Sequence, residues 1–389
     1  MNISDGICDL KAERRHFGMA ETLTKAVRQK GMIIKMRKFL TWLVLLSVLC
    51  TAWTSCRTGG KEISENEAVS LRESFLHKAN EVEVTADAVT FTDGLGERVT
   101  VPLRPQNVAI LYASFTTLWY EAGGTVSGCL GGESATELYC EQIGRDITED
   151  TGVRVLADSA QAKRWDIEGI LAAAPDLIIC STAMSGYATI AAPAQAAGIP
   201  VIVVDYQDFS DYLKWFKVFC HLNGQPALWE SIAMAALDEI AVLLESCPTE
   251  QGPTVLSMFA GVDLLKANTS ATVLGGMLSA MGAQNIIGTA ADTGTEHTVV
   301  DLEAVFAADP DIILIQCHTG EDSARALVER LYGANPVWQS LTAVKEGRVY
   351  YLEKDLFHNK PNRRFAEAYR TLAVLLYPEK QAELAPKSH

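Results

Sequence analysis

Two stretches of this chain are versions of one segment. DIEGILAAAPDLIIC begins at Asp166 and DLEAVFAADPDIILI begins at Asp301. Aligned without gaps, they share Asp, Glu, Ala-Ala, Pro-Asp and an Ile, with apolar-for-apolar exchanges at most other places. Each copy predicts a short helix, a Pro-Asp turn and a buried strand of continuous aliphatics. A chain that repeats such a unit is constrained to two related α/β halves.

Between the copies lies the longest clean helix signal, Pro226 to Cys247. Trp229, Ile232, Ala236, Ile240, Leu243 and Cys247 recur at spacings of three and four and make one apolar stripe, with Glu230, Asp238 and Glu245 off it. Pro226 suits a first helical position, and Pro248, Gly252 and Pro253 close the signal. At 1.5 Å per residue such a helix spans roughly 33 Å, enough to join two lobes.

The 389 residues suffice for two domains. The segment up to Cys56 holds nine Lys or Arg against four Asp or Glu, so of the formal charge of −15 the remainder carries −20. So acidic a surface is unsuited to nucleic acid or anionic lipid.

MRKFLTWLVLLSVLCTAWTSC, from Met36, has two basic residues, an apolar run from Phe39 to Leu49, and small residues before Cys56. This is the layout of a secretion signal, and its final Cys resembles the lipid-modified residue of a bacterial lipoprotein. Ser55 and Thr54 suit that box and Trp53 departs from it; Cys50 is the rival acceptor, with bulky Leu49 before it. The run falls short of the ~20 residues a membrane span needs. Residues 1–35, with Asp5, Asp9, Glu13 and Glu21, look like no part of a signal; a translation start at Met36 or Met32 is the simplest account of them, and a long n-region is the second. The polar, Gly-bearing stretch after Cys56 suits a tether, and Glu65 to Ala79 could form one surface helix.

Further on, Val89 to Val101 reads as a β-hairpin. Strands are expected at Val108 to Tyr112, Thr125 to Cys129, Val153 to Ala157 and up to Asp205, with helices at Thr116 to Ala122, Ser134 to Asp146 and Thr189 to Ala197. Asp208 to Leu222 is an aromatic-rich helix. Beyond Pro253 the order recurs: strand Thr254 to Phe259, helix Gly276 to Met281, the second repeat, helix Ser323 to Tyr332, strand Arg348 to Leu352 and a final helix Phe365 to Leu376. Short connections between alternating strands and helices indicate mainly parallel sheets covered on both faces, with the second lobe mirroring the first.

The hairpin and strand FTDGLGERVTVPLRPQNVAIL, the paired IEGILAAAPD and LEAVFAADPD, AAGIPVIVVD and the connecting helix together resemble substrate-binding lipoproteins of iron-chelate, haem and cobalamin ABC importers, over roughly Val89 to Pro378. The resemblance implies an α/β fold of two mainly parallel-sheet, three-layer lobes joined by a single long helix. The expected division is an upstream extension at 1–35, a signal at 36–55, a lipid-anchored tether at 56–87, a first lobe at 88–207, connecting helices at 208–247 and a second lobe at 248–389. It further implies a monomer lipid-anchored at Cys56 outside the cell membrane, with a permease and an ATPase as partners. No resident cofactor is implied; the ligand is a ferric siderophore, haem or a corrinoid. One acidic residue on each lobe docks on the permease in that family, and the matching positions here are Glu168 and Glu303. A Glu in a helix's first turn also complements the macrodipole.

In α/β sheets ligands lie at the carboxyl ends of strands. That rule selects Tyr112 to Phe115, Asp158 to Trp165, Ser181 to Tyr187, Cys317 to Thr319 and the loop Gly294 to His297. Within them, Tyr112, Lys163, Arg164, Trp165, Met184, Tyr187, His297 and His318 suit a large, partly aromatic, charged or metal-bearing ligand. Lys360, Arg363 and Arg364 could reach an anion or decorate a helix start. His221, His297, His318 and His358 show no pair at metal-ligand spacing, which argues against a bare zinc or manganese site. The six cysteines beyond Cys56 allow fifteen pairings, none of which the residues single out. GxxxxGK(S/T), GxSxG and HExxH are absent, so no enzyme signature stands against a binding role.

Overall fold

A computed structural model describes residues 63–159, 165–184, 186–248, 252–288 and 296–381. Cys56, Lys163 and Arg164 lie outside them. Ser64–His389 forms one compact unit.

Helix α1 (Ile63–Asn80) leads into a small antiparallel sheet of β1 (Glu83–Val84), β2 (Ala88–Thr92) and β3 (Arg98–Pro102). The alternating burial of β2 reflects one face on the core. The first lobe follows, with β4 (Val108–Ile110), α2 (Ala113–Glu121), β5 (Gly128–Leu130), α3 (Glu133–Ile143), β6 (Arg154–Ala157), α4 (Ile167–Ala172), β7 (Leu177–Ser181), α5 (Tyr187–Ala196) and β8 (Val201–Val204). Its strands are all parallel in the order β6-β5-β4-β7-β8. All five residues of β7 are buried, as continuous aliphatics in a doubly covered sheet require. The chain reverses direction across the sheet between β4 and β7, so the loops after these two strands diverge and leave a crevice.

Helix α6 (Phe209–Leu222) is buried on most of its surface. It starts with a capping box in which Asp208 and Asp211 each accept from the other's backbone N–H. The connector is helical from Pro226 to Glu245, in three pieces: α7 (Pro226–Leu228), a π-helical turn (Trp229–Met234) and α8 (Ala235–Glu245). The predicted stripe faces the core, with Trp229, Ala236, Ile240, Leu243 and Cys247 buried and Ile232 half-buried. Two features differ from the expected single helix. The π turn inserts wider i→i+5 bonding, and the helix ends before Cys247 because Pro248 cannot continue it.

The second lobe comprises β9 (Thr254–Ala260), β10 (Leu265–Asn268), α9 (Val273–Ala280), β11 (Gln284–Asn285), β12 (His297–Val299), α10 (Leu302–Ala308), β13 (Ile312–Cys317), α11 (Glu321–Tyr332), α12 (Pro336–Ser340), α13 (Thr342–Lys345), β14 (Val349–Leu352), α14 (Lys354–Phe357) and α15 (Phe365–Leu376). It is not a mirror of the first. Its sheet runs β12-β10-β9-β13-β14 with β11 beside β9, and β10 is antiparallel to both β9 and β12. The expected loop Gly294 to His297 accordingly ends in a strand, with His297 paired to Asn268.

One apolar cluster runs from first-lobe Phe91, Trp119 and Tyr139 through α6 and the connector to second-lobe Val255, Met277, Leu314 and α15. The lobes therefore share a continuous core at the connector, and large excursions there would open well-packed contacts. The stretch expected as a tether is, where described, a docked helix. On α1, Arg72 pairs with Asp238, Lys78 with Asp211 at 2.7 Å, and Phe75 packs edge-on against Phe209 at 5.3 Å. The six described cysteines are free thiols, five of them buried.

Candidate functional site

Parallel strands present ligands at their carboxyl ends, and Tyr112, after β4, and His318, after β13, stand at two such ends. Tyr112 follows β4 and is the residue before α2; its ring packs on Phe115 at 4.6 Å. Burial raises its phenol pKa, and the Glu296 carboxylate of the second lobe raises it further, so the two lobes face each other here.

Opposite lies a cluster centred on Phe259 of β9. The rings of His297, His318 and His358 sit 4.9, 5.9 and 5.7 Å from it, centroid to centroid. His318 Nδ1 and His358 Nε2 are 2.9 Å apart, a hydrogen bond in which one ring donates and the other accepts. Such a bond needs at least one neutral imidazole. Burial is the main force lowering all three pKa values, and His358 is pushed down to about 4, with His318, Lys354, His297 and Lys360 adding positive potential in that order. At neutral pH this face presents uncharged rings with nitrogen lone pairs, ligands suited to a transition metal.

Behind the rings a buried polar chain fixes their orientation. Asn268 donates to Ser257 Oγ and to Gln316 Oε1, both at 3.0 Å, and Gln316 donates to the Phe357 carbonyl at 2.6 Å. With its amide protons so engaged, Asn268 Oδ1 accepts from His297 Nδ1 at 2.9 Å, which puts the lone pair of that ring on Nε2.

The flank of the cleft is tied across the lobes. Lys360 donates to the Tyr206 carbonyl and lies 4.9 Å over the Tyr206 ring. Burial lowers its pKa, against the attraction of Glu296, Asp211, Asp205 and Asp208. Lys354 pairs with Glu137, and Tyr206 donates to Asn362 at 3.2 Å.

Trp165, Met184 and Tyr187 come together with Leu156, Ile170 and Cys180 in the first lobe's outer core. Trp165 is only 8% exposed, so it supplies packing more than an open ring face. Gly186 covers it, and a Cβ there would stand 3.2 Å from the ring. Met184 and Tyr187 are half-buried at the crevice edge, after β7. Phe259 and His358, the ring neighbours of His318, carry no sequence signal of that role; Glu296 falls in the selected loop Gly294 to His297 and faces Tyr112.

Glu168 and Glu303 are both exposed and both in the first turn of a helix that starts where its lobe's strands end. Asp166 caps the one by accepting from Gly169 N at 3.0 Å, and Asp301 caps the other by accepting from Glu303 N at 3.0 Å and Ala304 N at 3.3 Å. Arg364 is held by Glu367 and Glu353.

Known proteins share this architecture. A putative ABC transporter substrate-binding lipoprotein, YhfQ of Bacillus subtilis, is 24% identical over 275 residues, 68% of this chain and 81% of its own. Among solved structures, the TroA-like periplasmic binding protein FepB of Veillonella parvula superposes with a TM-score of 0.58 at 20% identity, covering 76% of this chain and 91% of that one. The periplasmic haem-binding protein RhuT of Roseiflexus sp. RS-1 gives 0.53 at 24% identity, covering 70% and 98%. The sequence profile described as periplasmic binding protein matches residues 130–356, more than half of the chain, from the end of the first lobe's β5 to α14 of the second. A profile that takes in both lobes and the connector between them settles the family: this chain is a member of the periplasmic binding proteins.

Proposed function

We propose that the chain captures a metal chelate outside the membrane, a ferric siderophore or haem, and delivers it to an ABC importer. The observation that carries this reading is the His318–His358 pair on Phe259, held neutral on the second-lobe side of a cleft whose first-lobe side brings Tyr112 beside Glu296. Among the described residues no three His, Cys, Asp or Glu side chains converge to hold a bare ion, whereas an ion that arrives already chelated needs only one or two protein donors and a flat apolar wall. The similarity to RhuT and to YhfQ supports the same reading. Lys163 and Arg164 are proposed as rim cations for the chelate's acidic groups, with Met184 and Tyr187 as its edge. Glu168 and Glu303 dock on the permease, and a lipid on Cys56 holds the protein at the membrane.

Absorbance titration tests this. Purified protein is titrated with haem, with a panel of ferric siderophores including ferric citrate, and with cobalamin. The expected result is one-to-one binding of an iron chelate, weakened at least tenfold by His318→Ala. Binding of cobalamin alone would overturn the iron reading while leaving the family intact.

A further inference from the structure

The hydrogen bond between His318 and His358 can run in two directions, and the shape of the rings tells them apart. It joins His318 Nδ1 to His358 Nε2 at 2.9 Å, with ring centroids 4.6 Å apart and planes at 73°, so the rings meet at an edge and do not stack. The nitrogens left over are His318 Nε2 and His358 Nδ1. In any histidine Nε2 is the end of the ring far from the main chain, whereas Nδ1 is crowded by its own Cβ. His318 is also the less deeply buried of the two rings. Its Nε2 is therefore the nitrogen that can meet a bulky ligand in the cleft. A neutral imidazole that ligates through Nε2 carries its proton on Nδ1. His318 Nδ1 then donates, and His358 Nε2 accepts.

An acceptor can orient a ring only if it is itself held, and His358 is. It closes α14, its backbone N–H donating to the Lys354 carbonyl at 2.8 Å. The segment that follows is tied to the first lobe: Lys360 donates to the Tyr206 carbonyl, and Asn362 donates to Thr117 Oγ1 and accepts from the Tyr206 hydroxyl, both at 3.2 Å. His318 is fixed from its own side, where its backbone N–H donates to the Ala260 carbonyl at 3.1 Å. The neighbouring ring repeats the arrangement independently, with His297 Nδ1 donating to Asn268 Oδ1 at 2.9 Å. Both acceptors are neutral, where a metal-ligating histidine often gives its second N–H to a carboxylate.

We propose that His358 is a positioning residue, which accepts the Nδ1–H of His318 and so holds the His318 Nε2 lone pair ready for the metal of an incoming chelate. This deepens, and rests on, the reading of the cleft as an iron-chelate site. The ring nitrogen binds by displacing a weak donor such as water from the metal, so the arrangement favours a chelate that leaves one coordination position exchangeable. A chelate that fills every position with strong donors gains nothing from the oriented ring.

Long-range proton–nitrogen NMR of the purified full chain, labelled with nitrogen-15 at histidine, reads the tautomers at neutral pH with no ligand present. The expected result is a proton on Nδ1 of both rings, because His358, accepting on Nε2, must carry its own on Nδ1. Protons on Nε2 of both rings would reverse the bond and overturn the proposal whatever the cleft binds. Absorbance titration with haem, and separately with ferric citrate, reads the consequence. His358→Phe keeps a ring against Phe259 and cannot accept; it should weaken the iron complex about tenfold or more, the usual cost of losing a ligand's orienting partner. His358→Gln, whose amide oxygen accepts, should restore most of that loss. Affinity and spectrum unchanged in His358→Phe, with His318→Ala still abolishing the complex, would overturn the positioning role and leave the iron-chelate reading standing. Wild type that takes up neither probe would overturn that reading, and the positioning role with it.

Discussion

The His318–His358 contact makes a measurable demand on stability. His358 titrates at about 4 in the folded protein against about 6.5 unfolded, because burial and the neighbouring His318, Lys354, His297 and Lys360 disfavour its charged form. A depressed folded pKa means that the unfolded chain binds more protons between these values. Stability is therefore fully present above about pH 6.5 and is lost as pH falls toward 4. Integrating the linkage from pH 7 to pH 4.5 gives about 2 kcal/mol from this one ring. Glu121 and Glu141 act in the opposite sense: their raised folded pKa values stabilise below about 4.5, and that contribution is lost as pH rises through 8 and 7 respectively. A single pH–stability curve would blur the two. The difference between wild type and His358→Gln isolates the ring, since Gln keeps a hydrogen-bonding side chain and cannot charge. Urea unfolding at pH 7, 5.5 and 4.5 is the assay. Wild type should lose about 2 kcal/mol relative to the variant between the first and last pH, on top of a pH-independent offset for the lost imidazole contact. Parallel curves would refute the argument that His358 is held neutral.

Glu168→Gln combined with Glu303→Gln should abolish uptake in cells while leaving chelate affinity unchanged and costing no more than about 1 kcal/mol per site, since both side chains are exposed and lose only macrodipole complementarity; wild-type transport by the double variant would remove the docking role. Mass spectrometry of the exported protein should find its N-terminus at Cys56 carrying a diacylglyceryl group, whose two chains suffice for stable anchoring; peptides from residues 1–35 in that material would refute it. Arg164→Ala should weaken an anionic chelate by about 1.5 to 3 kcal/mol and a neutral or cationic one far less, as read by titration with each.

The parts of this protein that are legible in its sequence are those governed by local periodicity. The final helix falls at Phe365–Leu376 as its spacing predicts, and the two repeats become helix, turn and strand with Glu168 and Glu303 in equivalent first turns. Those features depend on neighbours three or four residues away. The π turn in the connector is different, because an apolar stripe looks the same whether one helical turn is widened or not. The short strands β10 and β12 lie in polar, weakly patterned sequence, and their existence rests on pairing with each other and with β9. Trp165 reads as an open aromatic face until Gly186 is seen to close over it. The site shows the same division most sharply. His318 and His358 stand forty residues apart and carry no spacing signal, yet β13 and α14 bring their rings to 2.9 Å. Their neutrality comes from burial and from charges on distant segments. The chain's sequence thus determined its elements and its two-lobed repeat through interactions a turn or a strand in length, while the chemistry of the cleft was decided only by packing between segments far apart.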